Sequence, residues 1–167
     1  MDAYLAIVSK RELRTYAEWP ISDEDRRRIL EAGRVAGSSK NRQQRRFVVV
    51  GDPAPVAQAV YAPDNVLGAA LVIAVVVGGK GPTAFDAGRA AQNMMLAASD
   101  AQIGSCPNGI ADAAALGSLL GLDEGESVAT VLTFGYPVTA RDPARRSPEE
   151  WIARADRKPY EEIVQEI

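Results

Sequence analysis

Residues 37–47 read Gly-Ser-Ser-Lys-Asn-Arg-Gln-Gln-Arg-Arg-Phe, a run of hydroxyls, amides and guanidiniums set between two apolar elements. On its N-terminal side Ser22 is a good helix N-cap, and Asp23, Glu24 and Asp25 complement the positive end of the helix dipole. Ile29, Ala32, Gly33 and Ala36 then fall on one face, and their small size predicts close packing against another element. On the C-terminal side Phe47 to Val50 reads as a buried strand, stopped by Gly51-Asp52-Pro53. A turn this polar between two core elements is either a solvated basic loop or a ligand site rich in hydrogen-bonding groups.

Outward from that turn, residues 3–8 predict a short apolar helix ending in Lys10, Arg11 and Arg14. Residues 55–61 predict a short helix, broken by Pro63-Asp64-Asn65. Residues 69–77, Ala-Ala-Leu-Val-Ile-Ala-Val-Val-Val, show no alternation and predict a strand covered on both faces. The longest predicted helix spans 86–102, with Ala87, Ala90, Ala91, Met94, Ala98 and Ala101 at helical spacing. Residues 104–110 read as a turn with a little extended structure, Asp112 as the cap of a short helix, and 128–134 as another buried strand. Beyond Val138 the chain is charged and proline-punctuated; its late apolar residues Tyr160, Ile163, Val164 and Ile167 predict a tail that covers a neighbour, most simply a second copy.

The 167 residues predict a single domain, 1–167, with 47% hydrophobic and 25% charged residues. Net charge is −3, yet residues 1–46 carry eleven Lys/Arg against seven Asp/Glu. A basic N-terminal third in an acidic protein suggests a local anion site and argues against nucleic-acid binding. There are no histidines, which excludes Ser-His-Asp and Cys-His mechanisms and removes the commonest metal ligand, so no metal is expected. The single Cys106 allows no intrachain disulfide and reads as a small buried hydrophobe. No signal peptide or membrane span is evident, and a cytoplasmic location follows as the expectation.

Several stretches, taken in order, resemble the FMN-dependent nitroreductase family. Lys10-Arg11-Glu12-Leu13-Arg14-Thr15-Tyr16 is similar to that family's N-terminal Arg-Arg-Ser-x-Arg-x-Phe signature. Residues 29–47 resemble its helix, its Ser-Ser-x-Asn-x-Gln turn and the strand that follows. Residues 86–98 resemble its central helix, Ile103-Gly104-Ser105-Cys106-Pro107 the turn after it, and Gly135-Tyr136-Pro137 and Arg157-Lys158-Pro159 its C-terminal motifs. The chain reads as a short member of the family.

The resemblance implies an α+β fold, a three-layer α/β/α sandwich around a mixed, largely antiparallel sheet, in an intertwined homodimer with FMN sites shared across the interface. By the same resemblance Lys10, Arg11 and Arg157 contact the FMN phosphate, with Lys158 beside them. Arg14 lies near the pyrimidine end of the ring, where a fixed guanidinium favours the reduced form. Ser38, Ser39, Asn41 and Gln43 reach flavin from the other subunit. Pro107, Asn108, Gly109 and Ile110 lie along the ring near N5, with a backbone N–H directed at that atom and Gly109 allowing close approach. Arg14 and Gly109 are the implied catalytic pair.

The implied activity is an FMN-dependent oxidoreductase that moves electrons from NADH or NADPH to an electron-poor acceptor, a nitroaromatic or quinone, by a ping-pong mechanism. The alternative is a flavin-binding storage or sensor protein without substantial turnover. Three departures from the family pattern bear on that choice. Glu12 stands where the family has serine, Gln44-Arg45 where it has Pro-Trp, and only residues 78–85 join strand to central helix where the family commonly inserts a helical excursion. Residues 52–65 offer no clear counterpart of the family's basic or amide pair.

Overall fold

The computed structural model describes residues 2–167. Chain order is α1 (Ala3–Ser9), α2 (Asp23–Arg34), a single 3-10 turn (Ser39–Asn41), β1 (Arg45–Val49), α3 (Pro53–Ala57), α4 (Pro63–Leu67), β2 (Leu71–Val77), α5 (Thr83–Asp100), β3 (Gly104–Asn108), α6 (Ala113–Leu119), β4 (Ser127–Gly135), α7 (Pro148–Ala153) and α8 (Tyr160–Ile163). Two compact units emerge: residues up to Lys10 with Asp142–Ile167, and Arg11–Arg141.

In the larger unit the sheet order is β1-β2-β4-β3, and every strand pair is antiparallel. β2 is buried along its whole length, as its unbroken apolar run predicts. Leu71, Ile73, Val75 and Val77 join Ile29, Ala87, Ala91, Met94 and Phe134 in one core cluster. Val72 and Ala74, facing the opposite way, join Val56, Val60, Val66, Leu116 and Val131 in a second. Between Val75 and Val76 the register against β4 slips, so Ala129 is an extra residue in β4.

α2 begins where its cap predicts, with Ser22 Oγ accepting from Asp25 N at 3.0 Å. Its small-residue face does pack closely: a methyl at Gly33 would lie 2.7 Å from Met94 of α5 and 2.9 Å from Phe47. α5 starts at Thr83, three residues before the predicted start. It ends at Asp100 because Gln102 takes a left-handed conformation (φ 60°) and Ile103 N donates back to Ala98 O at 2.9 Å.

Four expectations are corrected. β1 is only half-buried, with Val49 exposed, because it is an edge strand, and the four described strands pair antiparallel throughout where a mixed sheet is expected. Pro63 does not break a helix but starts one, because the first helical position needs no N–H. Residues 104–108 are a regular edge strand, with Cys106 opposite Thr133 and Pro107 opposite Leu132. Glycine and proline hid it, yet an edge strand tolerates a residue that donates nothing to the ladder.

In the smaller unit Asp2 caps α1 through Tyr4 N and Leu5 N. α7 carries a capping box between Ser147 and Glu150, and Arg146 stacks 5.0 Å from the Trp151 ring. Trp151 Nε1 donates to Pro143 O at 2.9 Å. Tyr160, Ile163, Val164 and Ile167 are exposed.

Candidate functional site

The basic segment after Lys10 is fixed by two glycines that face each other across the sheet, Gly104 of β3 and Gly135 of β4. Leu13 covers the first; a methyl at Gly104 would stand 2.2 Å from Leu13 Cδ2. Tyr16 covers the second, with its ring 2.6 Å from a methyl placed at Gly135. Leu13 N donates to Ser105 O at 3.0 Å, and Glu12 forms a parallel bridge with Ser105. Tyr16 is buried, and its hydroxyl donates to Leu13 O at 2.7 Å and meets Thr133 Oγ1 at 2.9 Å. Desolvation by burial holds that phenol neutral well above its ordinary titration range. Arg14 therefore projects, exposed, from a backbone pinned on both sides, and Arg11 lies half-buried one residue before the bridge.

β3 leads from that segment to the next group of expected residues. Pro107 is exposed on the strand, whereas the Asn108 side chain turns inward and is 4% exposed. Asn108 Oδ1 accepts from Asn65 Nδ2 at 3.0 Å, and Asn108 Nδ2 lies 3.1 Å from Cys106 O and from Val131 O. Thr133 Oγ1 donates to Cys106 O at 3.2 Å, which ties Tyr16 into the same network. Any ligand contact by Asn108 must come from its backbone, because its amide is spent inside the protein. Gly109 is exposed; Tyr61 N donates to Gly109 O at 3.1 Å, and the Tyr61 ring lies against it. Ile110 bridges Val60.

The polar turn is built differently. Lys40, Asn41 and Gln43 all have φ between 52° and 55°, a left-handed conformation that costs a non-glycine residue about 1 kcal/mol each. Backbone groups hold it: Ser39 N donates to both Asp86 carboxylate oxygens at 3.2 and 3.0 Å, and Gln43 N donates to Ser38 Oγ at 2.9 Å. Arg42 donates to Lys80 O at 3.2 Å, and Gly78 N donates to Gln44 O. Arg45 spans the end of α2, its Nη2 donating to the carbonyls of Gly33, Arg34 and Ala36. Arg46, on the other side of β1, pairs with Glu126 at 2.6 Å and draws that carboxyl down to about 2. Among the described residues the Ser39 hydroxyl and the Asn41 side-chain amide have no partner.

Pro107 also lines an apolar cleft of about 440 Å³, with Thr83, Ala87, Gly88 and Ala91 of α5 and the bulged Ala129 with Thr130 of β4. Gly88 faces open space there. Thus Arg11, Arg14, Ser38, Ser39, Asn41, Gln43 and residues 107–110 all stand on the larger unit. Lys10, half-buried, and Arg157 and Lys158, both exposed, belong to the smaller one, where Arg157 Nη1 donates to Ala155 O at 2.6 Å. Sequence reasoning missed Asn65, Thr133, Tyr61 and the Arg42 and Arg45 contacts. The sequence places Asn65 in a helix breaker, and nothing in its neighbours marks it as buried. Among the described residues no three His, Cys, Asp or Glu side chains converge, and no helix is long and apolar enough to cross a membrane.

The model of the nitroreductase family matches residues 7–73 and 56–136. A protein of Archaeoglobus fulgidus named as an NADH dehydrogenase/NAD(P)H nitroreductase is 33% identical over 149 residues, covering 81% of this chain and 86% of its own. Among solved structures, one from Desulfovibrio desulfuricans described as a nitroreductase in complex with FMN is 30% identical, with a TM-score of 0.84 over 100% of this chain and 98% of that one. The NADPH:FMN oxidoreductase of Vibrio harveyi, complexed with NAD+, is 26% identical, with a TM-score of 0.81 over 96% and 75%. The α+β fold with its antiparallel four-stranded sheet is that of these flavin-linked oxidoreductases. The chain belongs to the nitroreductase family.

Proposed function

We propose that this protein is an FMN-dependent oxidoreductase that accepts electrons from NADH or NADPH and passes them to an electron-poor acceptor, such as a nitroaromatic or a quinone, in a ping-pong sequence. The observation that supports this best is the seating of residues 11–16 on Gly104 and Gly135, which holds Arg14 beside the strand that leads to Pro107 and Gly109. The residues fit the cofactor: guanidiniums for a phosphate, unpartnered hydroxyl and amide groups on the turn for a ribityl chain and ring edge, and an apolar cleft with an open glycine. Bound FMN would supply the hydride and electron transfer.

The chain's own groups then divide the work. Arg11 offers charge to the phosphate. The Arg14 guanidinium suits the negative charge that reduction adds to the pyrimidine ring. Gly109 leaves the backbone free of a side chain where a planar ligand must come close. Ser38, Ser39, Asn41 and Gln43 serve the flavin of a second subunit, so the working form is a homodimer with two shared sites. Each subunit folds as a single three-layer α/β/α domain. Lys10, Arg157 and Lys158 are assigned to the phosphate by the family resemblance alone.

The test is anaerobic mixing of the FMN-loaded protein with NADH and with NADPH while the flavin absorbance is followed. Bleaching by either donor, and return of colour on adding a nitroaromatic or quinone, is the expected result. If the flavin stays bound and oxidised with both donors, the enzyme reading fails and a storage or sensor role replaces it. Gel filtration of a monomer that still binds FMN tightly would remove the shared-site arrangement.

A further inference from the structure

Asp86 lies in the first turn of α5 and is 9% exposed. Among the described residues its carboxylate meets one hydrogen-bond donor, the Ser39 backbone N–H, which reaches both oxygens. A buried carboxylate that faces a single amide has its charge supported otherwise by the positive end of an 18-residue helix. The partner it selects is the residue just before the strained Lys40-Asn41 pair.

We propose that Asp86 is the positioning residue of the polar turn. It takes up the Ser39 amide, so the turn is fixed by its backbone and presents the Ser39 hydroxyl and the Asn41 amide outward, unspent, to the ring edge and ribityl chain of FMN. This deepens the flavin reading and rests on it. Without the carboxylate, nothing from α5 holds Ser39 N, and the left-handed residues relax to other conformations before a ligand arrives. Flavin must then order the turn as it binds, and its affinity falls accordingly.

The experiment compares Asp86→Asn, which keeps one acceptor oxygen at nearly the same volume, with Asp86→Ala, which keeps none. FMN is titrated by flavin fluorescence, and amide hydrogen exchange is measured on the FMN-free proteins. The dissociation constant should rise about 10-fold in Asp86→Asn and about 100-fold in Asp86→Ala. Exchange should quicken in peptides containing Ser39 while β2 and β4 keep their protection, which separates positioning from general loss of structure. The inference is overturned if Asp86→Ala binds FMN within twofold of the parent. It also falls if protection drops equally across the sheet, or if even Asp86→Asn does not fold. Asn41→Ala is the control for the underlying reading: if it weakens FMN while Asp86→Ala does not, only the role of Asp86 is lost. If neither matters, or the parent binds no FMN, both fall together.

Discussion

The two halves of the candidate site are built on opposite physical plans. Around β3 and β4 the polar groups are buried and mutually satisfied, with Asn65, Asn108, Thr133, Cys106 and Tyr16 forming one network behind Pro107 and Gly109. The turn 37–43 is exposed or half-buried, holds three left-handed non-glycine residues, and leans on a few bonds to Asp86, Lys80 and its own backbone. A saturated buried network specifies one geometry because every alternative strands a polar group. A strained exposed turn stores its geometry at a cost and recovers that cost only when something binds. Both halves are held in place without a ligand, but the second hangs on few contacts and is the one most easily loosened.

The strongest way to break this contrast is Asn108→Ala. It strands the Asn65 amide and removes a buried donor from the carbonyls of Cys106 and Val131, and should destabilise the fold by about 3 kcal/mol in urea titration. A loss under about 1 kcal/mol would mean that water or rearrangement satisfies the network and that this half is not preformed. Next is Gly135→Ala, whose new methyl collides with Tyr16; a loss of about 2 kcal/mol is expected, together with weaker FMN binding because Arg14 shares that segment.

In the turn the sign should reverse. Lys40→Gly removes a left-handed strain and should stabilise the FMN-free protein by up to about 1 kcal/mol while costing flavin affinity through lost preorganisation. The smallest effect is expected for Glu126→Gln, at the junction of the turn with the sheet, because its ion pair with Arg46 is partly exposed to solvent. Arg46 depresses the Glu126 carboxyl from 4.5 to about 2, so the native state favours its ionised form. That contribution is complete above about pH 4.5 and is lost as pH falls through about 2. At pH 7 the variant should lack that modest surface contribution in full, and its difference from the parent should shrink away as pH falls toward 2, read by circular dichroism in urea.

Most of the frame was legible because it rests on uninterrupted signals. The apolar run of β2, the acid-rich first turn of α2 and the alanine spacing of α5 each have one stable solution. The parts that escaped are those in which a local signal means opposite things in different company. Pro63 starts a helix, Pro107 sits in an edge strand, and Asn65 is buried against an amide 43 residues away. No pattern within a few residues of Asn65 encodes that partner. The polar turn was conspicuous from its composition, but its supports were not, since Asp86 and Lys80 approach it from a distant part of the chain.

Arg45 and Arg46 are consecutive on β1 and anchor it in opposite directions, one to the uncharged carbonyls at the end of α2, the other to the Glu126 carboxylate. Acid can therefore discharge one anchor and not the other, because backbone carbonyls take up no proton in that range and arginine never gives its own away. On acidification the strand should let go of its Glu126 side first and stay moored to the helix that carries the turn. The order in which the fold comes apart is thus written into two adjacent residues of the same type.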